Sequence, residues 1–265
     1  MSIRSFLRGD SSVDVDAVGR AMARRYDLEE VDIEPLEGDN WLSVPLVVND
    51  SYFVKVVSPQ NTATHSVFTA LRNLGARMWG SGPLFESFTS PGEMAEHEMA
   101  AARRMRRAGV PAPEPLDVVE LDDVALLVFE YIDDFEPLSQ VDLTDELVDL
   151  VFENLHRLHD SDLAHGDLSL ENVLVVDGSI YFIDATRLSP GERDDAVAYD
   201  LACALGALSS RRDADDVVEA ARRHYSDDEL VSARDYLVVV RLRPGIEDGF
   251  SLRELRTAIQ DAVKK

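Results

Sequence analysis

The stretch His165-Gly166-Asp167-Leu168-Ser169-Leu170-Glu171-Asn172 sets a carboxylate two residues after an imidazole and a carboxamide five residues after that. A second carboxylate, Asp184, follows Ile183 beyond a turn at Asp177-Gly178. These side-chain types at this spacing suit phosphoryl transfer. The transferred group is anionic, so metal ions must neutralise charge, and a carboxylate must orient the acceptor hydroxyl and take its proton. In such a scheme Asp167 is the base. Asn172 and Asp184 hold Mg2+ through hard oxygen ligands.

Strands and helices must bring these groups together. Asp177-Gly178 is a hairpin turn between two short β-rich runs, NVLVV and SIYFID, and residues 142–160 ahead of the loop have helical periodicity. Earlier in the chain, SVPLVV and SYFVKVV flank Asn49-Asp50, and LDVVEL and VALLVFEY flank an acidic turn. Residues 93–108 read as a helix with acids first and arginines last, ended by Gly109 and followed by Pro111 and Pro113. Residues 13–26 read as another, with Ser11 or Ser12 as its cap. A helix over 62–79 and a Gly/Ser/Pro-rich stretch make 58–92 a flexible insert, long for a connection. After residue 193 the pattern is mostly helical. The order predicts an α+β, two-lobed chain joined near Asp133-Asp134. Its parts are an N-terminal helical extension over 1–34, a small β-rich lobe with one main helix over 35–133, and a larger helical lobe over 134–265.

H-x-D-x-x-x-x-N followed by I-D resembles the protein-kinase-like superfamily. The branch is an atypical one: Gly166, Ser169 and Asp184-Ala185-Thr186 stand where ordinary protein kinases carry Arg, Lys and D-F-G. H-G-D-L-S-x-x-N resembles the RIO-type kinases and the small archaeal kinase of the KEOPS tRNA-modification complex. Aminoglycoside and choline kinases are similar but usually lack the Ser. The resemblance covers roughly residues 35–205 and implies a two-lobed protein-kinase-like fold. It implies that Lys55 reaches the α/β-phosphates of ATP, and Lys55 is the one lysine in the body of an arginine-using chain. Glu98 is its implied partner, from E-x10-G-V-x-x-P, with Glu96 and Glu93 in competition. Adenine would meet the Glu130 carbonyl and the Ile132 amide. Gly38 is the single glycine of a reduced phosphate-covering loop, and Asp200 matches the helix Asp that holds the catalytic loop. His165 orients that loop. His156 and His159, three apart, pack behind it in preference to binding metal.

Asp200 follows Asp184 by only 16 positions, so a peptide-binding activation segment is absent. The resemblance therefore implies an ATP- and Mg2+-dependent RIO-like atypical serine/threonine protein kinase or ATPase. In some RIO-type proteins the metal-binding Asp itself accepts phosphate, a role Asp184 would fill. The alternative is a small-molecule kinase of the aminoglycoside or choline type, acting on an alcohol. A third reading, a nucleotide-sensing scaffold without turnover, has only the weak glycine loop behind it. The implied partners are a protein substrate, or a small-molecule alcohol, and a ribosome-maturation or tRNA-modification assembly.

Composition narrows the setting. The chain has 265 residues and 45% hydrophobic residues, enough for a real core. Acidic residues number 51 against 26 basic ones, for a net charge of -25. That field repels phosphate, so nonspecific nucleic-acid binding is not expected. Arg103, Arg104, Arg106 and Arg107 accordingly read as a solvated helix terminus, not an RNA contact. Three of the basic residues are lysines, and this Asp-rich, Lys-poor composition resembles proteins of salt-in halophiles, notably haloarchaea. The single Cys203 sits in an apolar helical stretch and reads as buried. Neither a signal peptide nor a membrane span is evident, so a cytoplasmic protein is expected.

Self-repulsion makes the first prediction. Raising KCl from ~0.1 M to ~1 M shortens the Debye length from about 10 Å to about 3 Å, and the unfolding midpoint should rise with it. A thermal melt followed by circular dichroism reads this. A midpoint that stays put would show that self-repulsion does not limit stability.

Overall fold

Alternation of apolar residues in the first half of the chain builds one antiparallel sheet with two different faces. The computed structural model describes residues 14–36, 44–60, 62, 88–185, 193–241 and 249–264. Among these, one unit holds 14–62, 88–103 and 113–133, and a second holds 104–112 and 134–264.

The first unit contains helix α1 (Val15–Tyr26), strands β1 (Ile33–Pro35), β2 (Val44–Val48) and β3 (Tyr52–Val57), most of helix α2 (Pro91–Arg107), and strands β4 (Pro115–Leu121) and β5 (Val124–Glu130). The sheet order is β1-β2-β3-β5-β4, every neighbour antiparallel. One face of this sheet carries Leu46, Val48, Val54, Val56, Leu126 and Val128, buried together with Val18 and Met22 of α1. The helix expected as an extension before residue 35 thus supplies part of this core. It is capped by Asp14, whose side chain accepts from Ala17 N at 3.0 Å, and not by Ser11 or Ser12. An Asp at that place also suits the positive helix start.

Turns carry the register. Asn49 and Asp50 both have positive φ, 51° and 48°, as a tight two-residue hairpin with right-handed strand twist demands. The Asn49 side chain accepts from Asp32 N at 2.7 Å and donates to Glu30 O at 3.0 Å, which ties the start of β1 to the same turn. Helix α2 begins at Pro91, two residues earlier than the periodicity predicts. Ser90 Oγ accepts from Glu93 N at 3.1 Å, and a proline just inside a capped start lacks only an N–H that would go unpaired anyway. Gly38, residue 61 and residues 63–87 lie outside the described residues, and with them most of the expected insert and the helix expected over 62–79.

The second unit contains β6 (Glu136–Pro137), α3 (Asp145–Asp160), β7 (Val173–Val176), β8 (Ser179–Phe182), α4 (Arg193–Ser209), α5 (Ala214–Ala221), α6 (Asp227–Val240) and α7 (Leu252–Ala262). Strands β6, β7 and β8 form a small antiparallel sheet. Strands β1 and β6 are too short to show a period in sequence. Helix α4 is buried on all sides from Ala198 to Leu208, with Cys203 inside it, as a helix apolar all round must be. Gly206 permits a close crossing: a Cβ there would lie 3.0 Å from a ring carbon of Phe250 and 3.3 Å from Val240. No described helix is long and apolar enough to cross a membrane.

Met22 is fully buried. Met22→Ala should therefore cost about 2–5 kcal/mol, the range for truncating a core side chain, in urea unfolding at ~1 M KCl. An unchanged midpoint would show that α1 adds nothing to the sheet.

Candidate active site

Period-two alternation puts Lys55 on the sheet face opposite the α1 core, between the buried Val54 and Val56 that point to that core. Its strand neighbours are Pro45 on β2 and Leu127 on β5. Lys55 Nζ donates to Glu98 of α2 at 2.8 Å and 3.1 Å, one bond to each carboxylate oxygen. The two side chains are 3% and 12% exposed. Glu98 reaches this place because Met94, Glu98 and Ala102 form one i, i+4 row along α2, beside the buried Ala95 and Met99. Its sequence competitors are placed elsewhere. Glu93 accepts from the Thr89 backbone N and hydroxyl at 2.8 Å and 2.7 Å, and Glu96 is exposed. Removing one partner of a buried pair strands the other charge, at about 3–5 kcal/mol.

Glu130 and Ile132 lie at the end of β5 in this unit. Glu130 N donates to Glu114 O at 2.9 Å and Tyr131 N to Ser51 O at 3.0 Å, so the segment's backbone is held from both sides. Gly38 lies outside the described residues.

In the second unit the loop after α3 is organised by one carboxylate. Asp200 of α4 is fully buried. Its Oδ2 accepts from His165 N at 2.5 Å, its Oδ1 accepts from Gly166 N at 2.7 Å, and His159 Nε2 lies 3.3 Å from Oδ2. Gly166 has φ 78°, a backbone conformation that side-chain-bearing residues rarely adopt. That turn presents two successive N–H groups to one acid. Arg193 Nη2 donates to His159 O at 2.7 Å and fixes the helix end behind the loop.

His165 joins the loop to the segment after β8 that carries Asp184. Its Nε2 lies 2.8 Å from Ile183 O and its Nδ1 3.3 Å from Asp167 N. A carbonyl needs a donor and an N–H needs an acceptor, so the ring is neutral with its proton on Nε2. Burial pushes the imidazole below its ordinary value of 6.5, against the upward pull of Asp200, Asp167 and Asp184. Those carboxylates therefore surround one neutral ring. Asp184 itself has φ 62°, which ends β8 two residues short of the expected run. Asp tolerates the left-handed region better than most residues.

Asn172 Nδ2 donates to Asp167 O at 2.8 Å, which turns the amide oxygen to the side where it could meet a metal ion. Ile183 N donates to Asn172 O at 3.1 Å and brings the Asp184 segment alongside. The donor set fits Mg2+. No cluster of three His, Cys, Asp or Glu side chains among the described residues could cage an ion. Mg2+ needs no such cage, because it takes one or two protein oxygens and completes its shell with water and phosphate.

His156 and His159 do not converge on a common point. His156 faces Asp160 at 3.4 Å, while His159 is turned to Asp200 and to the Tyr225 hydroxyl. Neither Arg193 nor Tyr225 was singled out from the sequence. Both act across long sequence separations, and no local spacing marks them.

A buried Lys–Glu pair between a five-stranded sheet and helix α2, and an Asp-anchored H-x-D-x-x-x-x-N loop on a helical unit, define a protein-kinase-like protein. The fold agrees. The chain is similar to the structure of the GDP complex of wild-type aminoglycoside 2'-phosphotransferase-IIIa, with a TM-score of 0.53 over 94% of this chain and 100% of that one, at 9% identity. Within that class, residues 90–201 match the family model of the RIO domain. That stretch is similar to the RIO domain, and the resemblance to RIO-type atypical kinases read from the loop is borne out. The matched stretch contains Glu98, Asp167, Asn172, Asp184 and Asp200; Lys55 lies ahead of it. Among curated proteins, the RIO-type serine/threonine-protein kinase Rio1 of Haloferax volcanii is 37% identical over 89 residues, 33% of this chain and 31% of that protein. A probable bifunctional tRNA threonylcarbamoyladenosine biosynthesis protein of Methanosarcina acetivorans is 38% identical over 79 residues, 30% of this chain and 13% of that protein. The matches span less than a third of the length of these curated relatives.

The neutral His165 predicts a pH effect. Its folded pKa is below 6.5, so the unfolded chain binds the extra proton as pH falls through that value. The contribution is fully present above pH 6.5 and is lost below it. Urea unfolding between pH 7.5 and 5.5 should show wild type losing more stability than His165→Asn. Parallel losses would place the imidazole outside this linkage.

Proposed function

We propose that this chain is an ATP-dependent phosphotransferase that uses Mg2+, a RIO-type atypical serine/threonine protein kinase or ATPase. The observation that carries the reading is the buried Lys55–Glu98 pair. Apart from Lys264 and Lys265 at the end of the sequence, the other cations of this chain are arginines. Burying a compact ammonium against a carboxylate is costly and rarely gains stability over an apolar pair. A phosphate-binding role accounts for it.

In this scheme Glu98 holds the Lys55 ammonium at the α/β-phosphates, and the backbone of Glu130 and Ile132 takes the adenine. Asn172 and Asp184 would hold Mg2+, which neutralises charge developing on the transferred group. Asp167 orients the acceptor hydroxyl and accepts its proton as the new O–P bond forms and the bond to the β-phosphate oxygen breaks. His165 keeps the Asp167 and Asp184 segments in register through its two ring nitrogens. Gly38 would cover the phosphates. The substrate is a protein serine or threonine, within an assembly concerned with ribosome maturation or tRNA modification. The name of the Methanosarcina relative supports the second of these settings.

The test is incubation with γ-labelled ATP and Mg2+ at ~1 M KCl. Asp167→Asn should lower transfer or hydrolysis about 10²–10⁴-fold, the usual worth of a positioned base. Lys55→Met should raise the KM for ATP and lower kcat, and Asp184→Asn should raise the Mg2+ requirement. Hydroxylamine-labile label on the chain would mark the ATPase form, with Asp184 as acceptor; acid-stable label on added protein would mark the kinase. Turnover that Asp167→Asn leaves unchanged would reject the reading. Strong turnover of one small alcohol would replace the protein acceptor with a metabolite.

A further inference from the structure

The hold that Asp200 has on the catalytic loop continues one step deeper. Tyr225 lies between α5 and α6 and is 3% exposed. Its hydroxyl is 2.9 Å from His159 Nδ1, while His159 Nε2 lies 3.3 Å from Asp200 Oδ2. The ring is thus caught between a phenol and a carboxylate. Nε2 can donate to that carboxylate only when it carries the ring proton. The other nitrogen then depends on the phenol. Burial raises the Tyr225 pKa well above 10, so the hydroxyl keeps its proton and can donate. A donor at Nδ1 leaves that nitrogen bare and the proton on Nε2. The same logic operates where a partner on one ring nitrogen sets the tautomer presented at the other.

We propose that Tyr225 is a positioning residue for the catalytic loop: its hydroxyl fixes the Nε2–H tautomer of His159, and that N–H is the third donor to Asp200, beside the backbone N–H groups of His165 and Gly166. The catalytic part of this inference rests on the proposed kinase reading; the tautomer and the loop geometry do not. The competing account is packing. The Tyr225 ring stands edge-on to His156 and His159, with centroids 5.1 Å and 5.8 Å away. If shape were all that mattered, phenylalanine would serve as well.

Tyr225→Phe separates the two, because it keeps the ring and removes the hydroxyl. Two-bond 1H–15N spectra of the full chain at ~1 M KCl report the His159 tautomer, and amide proton shifts report the hydrogen bonds of His165 and Gly166. Wild type should show His159 protonated at Nε2 alone, with both amides shifted downfield. In Tyr225→Phe the ring should become a mixture of forms, both amides should move upfield, and kcat should fall about tenfold, as for a partner lost behind a ligand, with KM for ATP changed less than twofold. His159→Gln offers Asp200 an amide donor with no tautomer to choose. On that background, adding Tyr225→Phe should leave kcat within twofold. Unchanged tautomer and amide shifts in Tyr225→Phe would overturn the proposal, as would equal losses on both backgrounds. If wild type turns over no ATP, the proposed function fails and the spectra alone decide whether Tyr225 governs the loop.

Discussion

A carboxylate without solvent has to be satisfied by the protein around it, and Asp200 is the case on which the second unit turns. It sits in a helix buried on all sides, where an unpaired charge would be prohibitive. Two consecutive backbone amides and an imidazole answer it. To deliver both amides the chain must bend at a residue that accepts positive φ, and Gly166 does so. The loop geometry is thus a consequence of electrostatic satisfaction as much as of local preference. Asp167, the next residue, inherits a fixed backbone.

Hydrogen bonding through the neutral imidazole of His165 extends this order outward. His165 links the backbone before Asp184 to the amide of Asp167, with donor and acceptor on opposite sides of one ring. Such a link works only while the ring is uncharged, and burial keeps it so. The acidic composition contributes in an unexpected way. Among the described residues, the non-glycine positions of positive φ are Asn49 and seven aspartates: 27, 50, 122, 134, 162, 177 and 184. Short side chains with a local hydrogen-bonding oxygen tolerate that region. A chain rich in Asp can therefore build tight turns with the residues that also give it charge, and Asp184 serves a turn and a site together.

In the first unit the organising constraint is the two-faced sheet. One face buries Val, Leu and Met against α1; the other gives Lys55 to Glu98. A single-residue slip of β3 would exchange the faces and expose the valines while driving the ammonium into the apolar core. The paired turn at Asn49-Asp50 holds that register. The fold and the ion pair are therefore specified by the same alternation.

Much of this is legible in the residues alone, and for a physical reason. Turn pairs, strand alternation, helix periodicity and the H-x-D-x-x-x-x-N spacing are short-range patterns, so the β-rich first half, the helical second half and the loop's candidates follow from neighbours in sequence. The resemblance already favours Glu98 over Glu93 and Glu96, but the physical reason needed the folded chain: all three lie on one helix, and only the row buried beside β3 decides which carboxylate meets the lysine. The cap of α1 and its place in the core also needed it, because an amphipathic helix does not say which surface it covers. The buried chain from Tyr225 through His159 to Asp200 spans residues far apart in sequence. Partners of that kind are set by packing, where a polar group out of water must find whichever partner the fold brings within reach.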